Sequence, residues 1–243
     1  MIVFRVTDYL LICGITVLGL LMAYLRNPVA KALMLAIPIP VTLGILSVGQ
    51  RVDVTNVAGL LLSLAFTLMV LVVFKILRVR ILLAILVAAI TYCFLGMRLA
   101  TWLPRTEVSF WCAVLVVIVT AGCVLKAMPP REEPAYRSPL PVWLKTVILL
   151  IVVTCLVTLK RKLGGFLTTF PMLGVVASYE TRKSLYTTSR QIPITVLAFA
   201  FMFGICHTLQ GRLRLYYSLL PGLTVYAMIV ALLTKRQCVK SRI

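Results

Sequence analysis

Nothing constrains this sequence more than its rhythm of apolar blocks, about 17–23 residues each, parted by short loops rich in Lys and Arg. At about 1.5 Å of rise per residue, a helical block of that length spans the hydrocarbon core of a bilayer. A helix also satisfies its own backbone hydrogen bonds, which lipid demands. Composition points the same way: 62% of the 243 residues are hydrophobic and 13% are charged, where soluble domains have about 45–50% and about 25%. The expectation is an all-α polytopic membrane protein.

Nine transmembrane spans are expected, at 9–25, 32–48, 57–76, 81–103, 108–127, 143–159, 163–179, 192–211 and 215–234. Trp102, Trp111, Trp143, Tyr9 and Tyr24 fall near the ends of spans, where amphipathic rings favour the headgroup level. The first block resembles the apolar region of a signal peptide. It is closed by Arg26-Asn27-Pro28 instead of a small-residue cleavage site, and so reads as a membrane helix. Residues 129–141 differ from the rest: Pro129, Pro130, Pro134, Pro139 and Pro141 alternate with charges and read as a semi-extended cytoplasmic loop.

The two sides of that loop resemble each other. A basic loop, a short proline-interrupted span, a polar loop, a long span, an Arg-x-Arg pair and a last helix with a tyrosine recur in order. Arg80 to Arg214 and Tyr92 to Tyr226 are both 134 positions apart, and Pro38 to Pro171 is 133. The expected organisation is a four-helix repeat over 1–104, a linker helix over 105–128, the proline-rich loop, and a second four-helix repeat with a basic tail over 142–243. An odd linker helix inverts the second repeat relative to the first. Nine spans place 16 Lys and Arg on one side and eight on the other, with Arg98 inside a span, which accounts for all 25. Re-entrant proline segments would leave seven spans and a split of 14 to 10, so the charge asymmetry favours nine, with the N-terminus outside and the C-terminus cytoplasmic.

Helix-breaking residues at mid-membrane occur where neighbours or a cavity satisfy the freed carbonyls, and paired broken spans point to a transporter's substrate site. That logic selects Pro38, Pro40 and Pro171, with Thr42, Gly164, Gly165, Thr168 and Thr169 nearby. The same prolines also serve as kinks for packing, and the sequence leaves both open. Arg98 is either an anion contact or a side chain snorkelling near Trp102. His207, the only histidine, either relays protons or packs through a hydrogen bond. Glu180, beside Arg182 and Lys183, is either an ion-pair gate or a solvated loop carboxylate.

The charge of +19 is spread over every loop, which fits anionic lipid headgroups and topology control and argues against nucleic acid. Seven scattered cysteines without a C-x-x-C pair read as packing residues, and no metal or cofactor is expected. Phosphate-loop, H-E-x-x-H and G-x-S-x-G motifs are missing, and the acids are too few for metal-assisted chemistry, so an enzyme is not expected.

Gly165, Phe170-Pro171, the loop with Glu180 and Arg182, and Arg212-Leu213-Arg214-Leu215 make 160–234 resemble the GlpM-like family of small bacterial inner-membrane proteins. The first half matches it only through Pro38 and Arg78 to Ile81, and Met172-Leu173 depart from the threonine and phenylalanine usual after the proline. The resemblance implies about four helices per hundred residues, a bacterial inner membrane and an envelope role linked to alginate production. It supplies no catalytic residues. The leading functional expectation is a small transporter for an anionic or amphipathic solute, with its site between the broken second helices. The other is a non-catalytic subunit or scaffold of an envelope polysaccharide or lipid-processing complex, partnered by that complex or by a second copy of the chain.

Overall fold

The computed structural model describes residues 5–129, 131, 133, 134 and 141–240. Most of the proline-rich loop, including Glu132 and Arg137, therefore lies outside the described residues. The described chain is helical: α1 Val6–Tyr24, α2 Pro28–Leu35, α3 Ile39–Val48, α4 Val54–Lys75, α5 Ile81–Trp102, α6 Glu107–Ala127, α7 Val142–Thr158, α8 Lys160–Leu163, α9 Gly165–Thr168, α10 Met172–Glu180, α11 Leu185–Leu209 and α12 Leu215–Lys240. Seven segments among them, counting 28–48 as one, are long and apolar enough to cross a membrane, and Trp143–Thr158 is a shorter apolar helix.

Local chemistry sets the helix ends. Asn27 accepts from the amide of Val29 with Pro28 in the first helical position. Asp53 accepts from Thr55 while Asn56 reaches back to the Asp53 amide, a reciprocal cap for α4. The Thr106 hydroxyl caps α6 through Ser109. Gly49, at φ 67°, ends α3 in the left-handed conformation that costs glycine least. Large apolar side chains remain exposed along α5 and α7, among them Leu82, Leu86, Ile90, Phe94, Ile148 and Ile151. A surface of that kind is stable against lipid and not against water.

Two apolar cores share α4. One joins Leu11, Ile15 and Met22 of α1 to Phe66, Tyr92, Val153, Phe166 and Phe170, and the other joins Ile45, Leu64, Phe110, Val117, Phe199, Phe203 and Tyr226. Helix α4 packs on α5 as α11 packs on α12, α4 meets α9 as α11 meets α2, and α1 lies against α7. Helix α6 rests on both α4 and α11.

Side-chain contacts fix the direction of each segment. Arg5 before α1 lies against Gly49 after α3, so α1 and α3 are antiparallel. Lys31 in α2, Lys145 in α7 and Glu180 at the end of α10 meet at the opposite end of the molecule. Consequently α7 runs opposite to α1, and 160–180 runs opposite to 28–48. The observed bounds follow the expected spans closely except at 163–179, which is broken among α8, α9 and α10 and is not one of the seven long apolar segments, and in α11, which begins at Leu185 and not near 192. Its polar opening, with Thr188, Ser189 and Gln191, is buried by neighbouring helices, so polarity there does not mark a loop.

Candidate functional site

Pro38 and Pro171 occupy equivalent places, each capping the last helical piece of a broken segment, α3 and α10 respectively. Proline lacks the amide that a helix needs. The carbonyl of Ala36 would ordinarily accept from residue 40, which is Pro40, and the Tyr226 hydroxyl donates to it instead at 2.8 Å. The carbonyl of Phe166 would accept from Phe170, whose amide is diverted to Leu167. Here the Tyr92 hydroxyl donates at 2.8 Å, with the Thr169 hydroxyl 3.2 Å from the phenol oxygen. Each half's last helix thus supplies a buried tyrosine to the other half's break, which is how backbone irregularity persists in lipid.

The two broken segments cross in close contact. A Cβ on Gly44 would lie 3.0 Å from the Thr168 Cα, and on the α4 side of the crossing one on Gly165 would lie 2.2 Å from the Thr55 hydroxyl. The Asn56 amide donates to the Thr168 hydroxyl at 2.9 Å, and that hydroxyl donates to the Gly165 carbonyl at 2.6 Å. Thr42 serves its own segment, donating to the Pro38 carbonyl at 2.9 Å.

Beyond the crossing, Glu180 is buried at the end of α10. Lys145 reaches its Oε1 at 2.8 Å, and Lys31 donates to its backbone carbonyl at 3.0 Å with the ammonium 4.0 Å from Oε2. All three side chains are at least nine-tenths buried. Removing one member of such a cluster leaves an uncompensated charge and costs about 3–5 kcal/mol. At the other end of α1, Asp8 is fully buried, accepting from the Ser47 hydroxyl and from the Arg5 amide.

His207 stacks on Phe110 with ring centroids 3.8 Å apart. Its Nδ1 faces the Val52 carbonyl at 2.9 Å and its Nε2 faces the Glu107 carboxylate at 3.0 Å. This acid sits in another helix and is invisible to local reading. A carbonyl and a carboxylate both accept, so both contacts are hydrogen bonds only when the ring carries two protons.

The structure therefore brings Pro38, Pro40, Gly165, Thr168, Thr169 and Pro171 to the crossing region, with Thr42 one turn along. Gly164, at φ 52°, forms the turn that separates α8 from α9. Glu180 belongs to the buried cluster and pairs with Lys145 and Lys31, not across the loop, while Arg182 lies over the Tyr179 ring. His207 stands apart at the Arg5 end. Arg98 is not brought in: it is exposed on α5 over the Phe94 ring. Tyr92, Tyr226, Lys31, Lys145, Asp8 and Asn56 are the residues that sequence reading did not select. The 134-residue spacing of the tyrosines, and charges set within apolar blocks, were the available signals.

Among the described residues no group of three or more His, Cys, Asp and Glu side chains is placed to hold a metal ion. Comparison of the chain with family models, curated proteins and solved structures finds no match.

Proposed function

We propose that this chain is a transporter for an anionic or amphipathic solute, made of two inverted four-helix halves joined by α6 and working in a bacterial inner membrane. The observation that carries the reading is the reciprocal one: antiparallel broken segments cross at mid-molecule, and the tyrosine ending each half caps the break in the other. Counting 142–158 and 160–180 as crossings gives nine, with the termini on opposite sides. Broken helices of this kind, paired between inverted halves, are where transporters hold their solutes. The buried cluster of Lys31, Lys145 and Glu180 closes one end of the crossing, and it is the richest in cations of the buried polar groups described. An anionic group is the solute chemistry it would favour on opening. The resemblance to the GlpM-like family enters only through the residues quoted for it, and it motivates the envelope setting.

The test is flux from proteoliposomes containing purified chain alone, loaded in turn with small organic anions and with anionic amphipaths. Protein-dependent release that is lost on Thr168→Trp, which would wedge the crossing apart, is the expected result. Retention of every solute, together with stoichiometric co-purification of a second envelope protein, would replace the transporter by the scaffold.

A further inference from the structure

An open cavity of about 440 Å³ lies at the Arg5 end, lined by Arg5, Val6, Thr7, Leu46, Gly49, Arg214, Leu215 and Tyr216. Its construction is unlike a chance cleft between helices. Arg5 and Arg214 come from opposite ends of the sequence, and neither has a salt-bridge partner among the described residues. The Arg5 guanidinium lies along the wall, its Nη1 3.1 Å from the point where a Cβ would stand on Gly49. Val6 and Thr7 open α1, and Leu215 and Tyr216 open α12, so two helix starts face one cavity. First-turn amides have no partner inside their own helix, and both macrodipoles place positive charge there. The Thr7 hydroxyl oxygen is buried without a hydrogen-bond partner. The nearby acid, Asp8, does not line the cavity and has both oxygens engaged.

We propose that this cavity binds a phosphate group, and that the group is the headgroup of an anionic phospholipid. The walls choose the source. Val6 and Tyr216 are 75% and 62% exposed, so apolar surface continues from the cavity onto the lipid-facing flank, where acyl chains would lie. Two guanidiniums give a phosphate charge-assisted and bidentate donors, and the helix starts add amides. The site holds two elements far apart in sequence, α1 and α12, against the end of α3. Its occupancy therefore stabilises the closure of the whole Arg5 end. This site stands on the cavity alone and is independent of whether the chain transports anything.

The experiment is thermal unfolding of the purified chain in detergent with added dioleoyl-phosphatidylglycerol, dioleoyl-phosphatidylcholine or inorganic phosphate. Phosphatidylglycerol should raise the midpoint and phosphatidylcholine should not. R5Q/R214Q should need at least about tenfold more phosphatidylglycerol for the same rise, a factor that corresponds to about 1.4 kcal/mol, the loss of a single charge-assisted hydrogen bond. R51Q/R212Q, which removes equal charge outside the cavity, should respond as the wild type does. A rise with inorganic phosphate that R5Q/R214Q abolishes would keep the phosphate site and assign it to a free anion. An equal response of R5Q/R214Q and wild type, or no response to either phosphate source, would overturn the proposal. If the double variant does not fold, Arg214→Gln alone, at an exposed side chain, gives the same contrast.

Discussion

Tyr92 and Tyr226 perform one task in two places, and each does it with a single proton. The carbonyls they serve, Phe166 and Ala36, have lost their helical amides, so removing the Tyr226 hydroxyl strands a buried acceptor away from water, while Phe166 keeps a longer contact from the Thr169 hydroxyl at 3.4 Å. An unmet buried group costs about 1–3 kcal/mol. Tyr226→Phe should lower stability by about that amount and Tyr92→Phe by less, measured by denaturant unfolding in mixed micelles, while Tyr217→Phe, an exposed site, should change little. Equal behaviour of all three would mean that the breaks are satisfied in another way. At this scale the sequence was partly legible. The prolines and threonines of the crossing were found because helix breakers in an apolar block are visible one residue at a time. Lys31 and Lys145 enter the sequence reading only through the Lys and Arg count, because burial at a helix end depends on what the third partner, Glu180, brings from 149 and 35 positions away. Glu107 beside His207 was hidden for the same reason, being 100 positions distant.

Among the helices, what decides the arrangement is how closely backbones approach. Gly165 in α9 sits against the first turn of α4, where a Cβ would come within 2.8 Å of the Asn56 amide nitrogen as well as colliding with Thr55. Backbone cannot give way cheaply, so Gly165→Ala should separate α9 from α4 and break the Asn56 to Thr168 hydrogen bond. Overpacking of this sort costs about 1–3 kcal/mol. Gly122 in α6 is the opposite case, with nothing within 4 Å of its Cβ position. Gly122→Ala should raise helix stability by up to about 1 kcal/mol. Unfolding midpoints of the two alanine variants should move in opposite directions, and movement in the same direction would contradict the packing described for α9. The helices themselves were legible, since a bilayer-length apolar block leaves few alternatives. The subdivision of 160–180 into three pieces was not, because Gly164 and Pro171 announce breaks without saying how far each piece turns. Nor was the start of α11, whose buried Thr188, Ser189 and Gln191 look like loop until a neighbour covers them.

For the molecule as a whole, the decisive quantity is direction relative to the membrane. Contacts put Arg5, Asp53, Arg105, Glu107, His207 and Arg214 toward one end, and Lys31, Lys75, Glu133, Lys145 and Glu180 toward the other. Two ends of one bundle become two sides of a bilayer only if the segments between them cross. On the proposed topology the Lys31 end faces the cytoplasm. Lys160-Arg161-Lys162, between α7 and α9, should then face the far side although it is strongly basic. The charge rule alone would resist that, while the packing of Gly165 on the first turn of α4 puts this loop toward the Arg5 end. Topology reporters inserted at 26–31 and at 160–162 in intact cells test the conflict directly. Opposite sides are expected, and they would make the two halves inverted across the membrane, as a transporter of this construction needs. The same side would mean that α6 or α7 does not cross. The reciprocal tyrosine contacts would then join two halves of like orientation, and the scaffold would become the better account of the fold.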